Sequence, residues 1–160
     1  MPLYCEESVE RRLRRAFDYA FVPEAINYAG GVPVVDFHRI GDVPFEVLGQ
    51  SITPFRLYHG RFETLGFRIG NVAYCTDTNR IPPESREQLR GLDVLILDAL
   101  RYKPHATHFS LEEAQAVATE LGAKRTIFTH MGHDLEHAAV SAALPPNMEL
   151  AYDGLRVPLT

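Results

Sequence analysis

Cysteine is scarce: Cys5 and Cys75 are the two in 160 residues. Two thiols give no disulfide framework of the kind small secreted domains depend on, so a reduced, cytoplasmic protein is expected. Long apolar runs are lacking too. The longest, VLILDAL at 94–100, is interrupted by Asp98 and is far too short to span a bilayer, so no membrane association is expected. The opening MPLYCEESVERRLRR is charged and has no apolar segment, so no signal peptide is expected. Positive charge is not in excess: 16 Lys and Arg face 21 Asp and Glu, for a net charge of −5. That removes any general electrostatic reason to bind nucleic acid. No low-complexity stretch and no internal repeat is present, and charged residues make up 23%, which argues against disorder.

What is present suits one globular domain over 1–160, with 46% hydrophobic residues to build a core. Residues 6–21 predict an amphipathic helix, because Val9, Leu13, Phe17 and Phe21 recur at intervals of four. Gly30, Gly31 and Pro33 then break the chain. From Val34 to Thr76 the texture is strand-like: VVDFHRI, PFEVLG, ITPFRLYH, LGFRIG and VAYCTD, separated by Gly-Asp, Gly-Gln and Gly-Asn. Those separators are turn chemistry, and they predict an antiparallel meander or a series of hairpins.

The second half reads α, β, α, β, α, β. PPESREQLRG begins with prolines and ends with glycine, as a short helix does. DVLILDAL and KRTIFTH read as buried strands. Between them, Ser110 and Glu113 form the capping box of a helix that Gly122 ends. DLEHAAVSAAL predicts another helix with Asp134 as a possible N-cap, and MELAYDGLRV a final strand or hairpin. The fold class is α/β with a mixed sheet.

Seven histidines draw attention to three strand ends. His59 closes FRLYH, Asp77 closes VAYCTD and His130 closes TIFTH. The C-terminal ends of strands are where α/β sheets place their sites, and imidazole with carboxylate is a donor set for zinc, manganese or iron. Each residue taken singly has a plainer reading. A histidine after a strand is more often an ordinary turn residue, and Asp77 in TDT could simply cap a turn. His38, His105 and His137 carry no assigned role, and no local zinc signature such as C-x-x-C or H-E-x-x-H occurs.

The run HGRFETLGFRIGNVAYCTDTNRIP, followed by LDVLILDALRYKPHATHFSLEEA, THMGHD and AYDGL, resembles the metallo-β-lactamase superfamily from about Leu3 onward. The similarity is to the branch of the phosphonate-pathway cyclic phosphodiesterase and, more distantly, ribonuclease Z. The resemblance implies a portion of an αββα sandwich with helices packed on the outside. It implies that His59 binds a first metal ion, that Asp77 bridges two ions and that His130 completes the second position. It further implies that His108 acts near the scissile phosphate as an acid or charge stabiliser, alongside Asp77 as a catalytic group. His133 would touch substrate, while Asp98 and Asp153 would orient ligand histidines. The chemistry implied is hydrolysis of a small phosphate ester by a hydroxide held between two zinc or manganese ions.

The superfamily's H-x-H-x-D-H motif is absent, as are its N-terminal strands and Gly-rich first turn. The chain is therefore expected to correspond to the C-terminal portion of such a fold, with His59, Asp77 and His130 left to serve two metal positions. A truncated hydrolase, half of a split enzyme and a non-catalytic interaction module are the three origins that fit. Self-association or a partner chain covering the exposed half is expected. Within enzymes, a thioesterase of the glyoxalase II kind is the alternative to a phosphodiesterase.

Overall fold

The computed structural model describes residues 1–21 and 33–158, so the expected break at Gly30 and Gly31 lies outside the described residues. Contacts divide the chain into two compact units, 1–43 and 44–160. In the first, β1 (Pro2–Cys5) pairs in parallel with β2 (Asp36–Arg39), and α1 (Glu7–Ala16) follows β1. Two expectations change here. The segment VVDFHRI does not join the meander, because its strand finds a partner in β1, a strand the local pattern did not reveal. The helix also ends at Ala16 rather than at residue 21, where a short 3-10 turn (Asp18–Ala20) takes over.

Nor does α1 bury the expected apolar stripe. Val9 and Phe17 are exposed, and the buried residue is Glu10. Its carboxylate accepts from Arg14 Nε at 2.8 Å and from Arg39 Nε at 2.7 Å. Those two guanidiniums, Arg39 foremost, hold the Glu10 carboxyl below the usual range. Arg14 also lies over the rings of Phe37 and Phe21, at 4.5 and 5.0 Å from their centroids. An arginine thus bridges the acid and the aromatic residues of this unit.

The second unit is built on a seven-stranded sheet in simple sequential order, β3 to β9. Its antiparallel half is the expected meander: β3 (Phe45–Val47), β4 (Gln50–His59), β5 (Phe62–Ile69) and β6 (Val72–Cys75). Its other half is parallel: β6 is followed by β7 (Val94–Asp98), β8 (Arg125–Thr129) and β9 (Met148–Leu150). Parallel neighbours need crossovers. These are α2 (Pro83–Arg86) with a 3-10 turn (Glu87–Leu89), then α3 (Leu111–Leu121) and α4 (His137–Ala143). The fold class is mixed α/β, as the sequence pattern predicts.

Alternation along the strands decides what is buried. Ala73, Leu95, Leu97 and Phe128 share one core with Leu111, Ala114 and Ala118 of α3 and Val140 of α4. Tyr74, Ile96 and Ile127 stand in register with one another on the opposite face, where Tyr74 is 49% exposed. Ser110 and Glu113 form the capping box, and Gly122 takes the left-handed C-cap at φ 65°. The last helix is capped differently from expectation: Glu136, not Asp134, accepts from the N–H groups of Ala138 and Ala139. Cys5 and Cys75 are free and buried, and burial pushes the Cys75 thiol far above its ordinary pKa. Among the described residues no helix is long and apolar enough to cross a membrane.

Gly66 sits opposite Phe55 in the β4–β5 ladder, and a Cβ there would stand 2.3 Å from the Phe55 ring. Gly66→Ala should cost about 1–3 kcal/mol by overpacking, read from urea denaturation midpoints. Phe55→Leu in that background should recover part of the loss; no recovery would place the strain elsewhere.

Candidate metal centre

Strand β4 is antiparallel to β5, and β5 to β6, so β4 runs in the same direction as β6, β7 and β8. Their C-terminal ends therefore lie along one edge of the sheet. His59 is the last residue of β4 and Asp98 the last of β7; Asp77 and His130 follow β6 and β8. Asp77 and His130 both have positive φ, 54° and 61°. Left-handed backbone at a residue with a side chain costs of order 1–3 kcal/mol and persists only where its surroundings impose it. Here it has a geometric role. β6 and β8 are separated by β7, about 9.5 Å in ladder spacing, and the left-handed turns bring their side chains together across its end.

Among the described residues, Asp77, His108 and His130 form a group whose donor atoms all lie within 4.8 Å of one another. His130 Nε2 is 3.3 Å from Asp77 Oδ1, and His108 Nε2 is 3.4 Å from the same oxygen. The His108 and His130 rings stack at 4.8 Å, and His59 meets the His108 ring edge-on at 4.7 Å. Donors about 2.1 Å from a tetrahedral zinc ion stand roughly 3.4 Å apart. The two separations to Asp77 have that value, so the trio fits one divalent ion with a position left open. The grouping differs from the expected His59, Asp77 and His130 in that His108 stands among the nearest donors and His59 lies next to it.

A small hydrogen-bonded cluster stands behind His108. Thr107 N–H donates to His105 Nδ1 at 3.3 Å, so that nitrogen is an acceptor. The Thr107 hydroxyl lies 3.2 Å from His105 Nδ1 and 2.8 Å from His108 Nδ1, and the two Nδ1 atoms are 3.2 Å apart. This cluster holds the His108 ring with its Nε2 facing the Asp77 carboxylate, the nitrogen that would serve a cation placed between them. Burial, then the nearby His130 and His59, push His108 below the ordinary imidazole pKa, against the opposing pull of Asp77. His108 is thus disposed to remain neutral, as a metal-ligating imidazole must be.

The loops that hold these residues are tied to one another. Tyr58 N–H donates to Arg80 O at 3.0 Å, and Asn79 N–H to Tyr58 O at 2.9 Å, which fixes the loop after β6 against the end of β4. Phe109 N–H donates to Thr78 O at 3.0 Å, and Gly132 N–H to Leu100 O at 2.7 Å. Asn79 joins two further loops: its Oδ1 accepts from Gly60 N–H at 2.9 Å, and its Nδ2 donates to Ala106 O at 3.0 Å. Asp98 lies beneath, fully buried, and accepts from Thr78 N–H at 3.2 Å. Its Oδ2 meets no hydrogen-bond partner among the described residues, and burial pushes its carboxyl up to about 7.

Several expected contacts are not among those of the described residues. Asp98 is bonded to backbone rather than to a histidine, and Asp153 is exposed in the turn after β9. His133 is exposed. His137 is exposed against Tyr152, and within the first unit His38 stacks on Tyr4 and meets the Asp36 carboxylate at 3.0 Å. Conversely, His105 and Thr107 join the cluster without a role expected from the sequence. Their signal was the P-H-A-T-H spacing, which puts two imidazoles and a hydroxyl within one tight loop.

Residues 1–131 match a family model described as a beta-lactamase superfamily domain. The structure superimposes over 99% of its length on a diphosphatase of the PhnP family, with a TM-score of 0.88 and 41% identity, covering 58% of that chain. Zinc-bound PqqB from Methylobacterium extorquens has the same fold, with a TM-score of 0.71 at 20% identity over 99% of this chain and 65% of that one. An octanoyltransferase of Porphyromonas gingivalis is 31% identical over 158 residues, 97% of this chain but 32% of that protein. The chain thus spans 58% of the solved diphosphatase and about a third of the curated relative it matches.

Titration calorimetry with Zn²⁺ should show about one ion bound per chain, and Asp77→Ala or His130→Ala should weaken binding strongly; equal affinity in all three proteins would remove the trio as the site. The Asp98 carboxyl, at about 7 in the fold and near 3.9 in an unfolded chain, gives a signed pH effect. Its contribution is full below about pH 4 and is lost as pH rises through about 7. Metal-free protein should therefore lose stability over that window, and Asp98→Asn should flatten the decline in urea denaturation.

Proposed function

The chain belongs to the metallo-β-lactamase superfamily, and from that membership we propose that it carries the C-terminal part of a metal-dependent phosphohydrolase acting on a small diphosphate ester. The observation that carries this reading is the convergence of His130 and His108 on Asp77 Oδ1, at 3.3 and 3.4 Å. The substrate class is supported by the diphosphatase of the PhnP family, which is 41% identical over nearly the whole of this chain. The octanoyltransferase name belongs to a protein of which the match covers 32%, and no acyl-transfer role is taken from it.

Asp77, His108 and His130 would hold a divalent ion, with His59 as the remaining donor of the expected set. Zinc and manganese both suit these nitrogen and oxygen ligands. When bound, the ion supplies charge that activates water and offsets negative charge on the phosphoryl group. The chain's own residues do the rest. The Thr107 hydroxyl, held against His105, contacts His108 Nδ1 and so positions the ring with Nε2 turned to the site. The left-handed backbone at Asp77 and His130 fixes both side chains before substrate arrives. Further ligands of a two-ion centre would come from sequence outside these 160 residues or from a partner chain.

With Zn²⁺ or Mn²⁺ added, the protein should hydrolyse a diphosphate diester such as P,P′-diphenyl diphosphate to two phenyl phosphates, and Asp77→Ala should abolish the turnover. Thr107→Val keeps the side-chain shape but removes the hydroxyl that orients His108. It should slow turnover by roughly 10- to 100-fold with little change in melting temperature. Absence of turnover with either ion, at protein concentrations where the metal is bound, would refute the hydrolase reading for this chain.

A further inference from the structure

Beside the candidate metal centre lies an open depression of about 610 Å³, lined by His59, Arg61, Phe62, Asn79, Arg80 and Thr107 among others. His59 and Thr107 are the two residues that touch His108 from this side, so the depression begins where the donor group ends. No carboxylate lines it, although the chain as a whole carries a net charge of −5. Among the described residues, neither Arg61 nor Arg80 makes an ion pair. Each is instead held over an aromatic face: the Arg80 guanidinium is 3.9 Å from the Tyr58 ring centroid, and Arg61 is 5.4 Å from that of Phe62. Stacking restricts a guanidinium to a plane and leaves its N–H fork free, which is the arrangement that grips phosphate oxygens in pairs.

The wall of the depression is also rigid. Gly60 has φ 64°, and a Cβ there would stand 2.9 Å from Thr107 Cγ2. The Asn79 amide ties the Gly60 turn to the loop of Ala106. An exposed arginine pair on a flexible loop would be ordinary surface charge. Two uncompensated, stacked guanidiniums around a fixed hollow next to a phosphoryl-transfer site are better explained by a ligand.

We infer that this depression is an anion subsite that takes the non-reacting phosphate of a diphosphate ester, with Arg80 and Arg61 as the residues that select it. The inference rests on the phosphohydrolase reading and names which part of the substrate is recognised. With the reacting phosphate at Asp77, His108 and His130, the next phosphate reaches the hollow past His59. A monophosphate ester would leave both guanidiniums without a partner.

The test is equilibrium binding of inorganic pyrophosphate and inorganic phosphate to the metal-free 160-residue protein in chelator, by isothermal titration at fixed moderate salt. Pyrophosphate should bind more tightly than phosphate. Arg80→Ala and Arg61→Ala should each weaken it by about tenfold, the usual worth of a charge-assisted hydrogen bond. Arg12→Ala, on the exposed face of α1, should not. Arg61 stands exposed in the β4–β5 turn, so Arg61→Ala keeps the test decisive if Arg80→Ala does not fold. Unchanged binding in both variants, equal loss in Arg12→Ala, or no preference for pyrophosphate overturns the subsite. Because chelated protein cannot turn over, these outcomes are separate from failure of the hydrolase reading, which the diester assay alone decides.

Discussion

Val72 faces Val94 and Val94 faces Arg125, so β6, β7 and β8 begin level, and β6 ends one residue sooner than the other two. The candidate centre depends on that register. It puts Asp98 and Thr129 side by side, with Asp77 and His130 just beyond the strand ends, on either side of β7. A slip of one residue in β6 or β8 would turn Asp77 or His130 to the other face of the sheet. The register is itself secured by the core beneath, where Ala73, Leu95, Leu97 and Phe128 pack against α3. The site is thus held by apolar burial directly beneath it, with Leu97 next to the buried Asp98.

The charged groups are arranged against their own preferences. Asp98 is buried under the loops with one oxygen satisfied by Thr78 and one bare. His108 is pushed towards the neutral form by burial and by two other imidazoles, while its Nε2 confronts a carboxylate. Asp77 and His130 sit in left-handed backbone. Strain and electrostatic mismatch concentrated at one sheet edge, over an otherwise well-packed layer, are how a fold marks the place where a ligand is meant to supply the missing term.

Much of this is legible from the residues alone. Strand-end positions draw attention to His59, Asp77 and His130, because a two-residue period followed by a turn signal fixes where a strand must stop, but a metal-binding role for them comes only from the family resemblance. The capping box at Ser110 and Glu113 and the C-cap at Gly122 are local chemistry and are read locally. What escapes is what depends on distant partners. The β1–β2 pair joins segments thirty residues apart in parallel, and nothing near either segment announces the other. Glu10 has the pattern of a solvated helix face, and only Arg39, brought in by β2, accounts for its burial. Glu136 outcompetes Asp134 as a cap because of where the chain turns after β8, a property of the loop rather than of residue type. Arg80 reads as one arginine among many until Tyr58 is seen beneath it.

The parallel half of the sheet also has a consequence for the order in which the molecule assembles. β4, β5 and β6 are successive hairpins that can close by local pairing, whereas β7 and β8 join only after crossovers through helical segments. Loop closure over such separations is slow. His59 and Asp77 therefore belong to the part that can form early, and His130 to the part that must form late. Before β8 docks the group lacks His130, so an ion would bind the finished sheet more tightly than the partly folded chain and would favour the chain that has closed correctly.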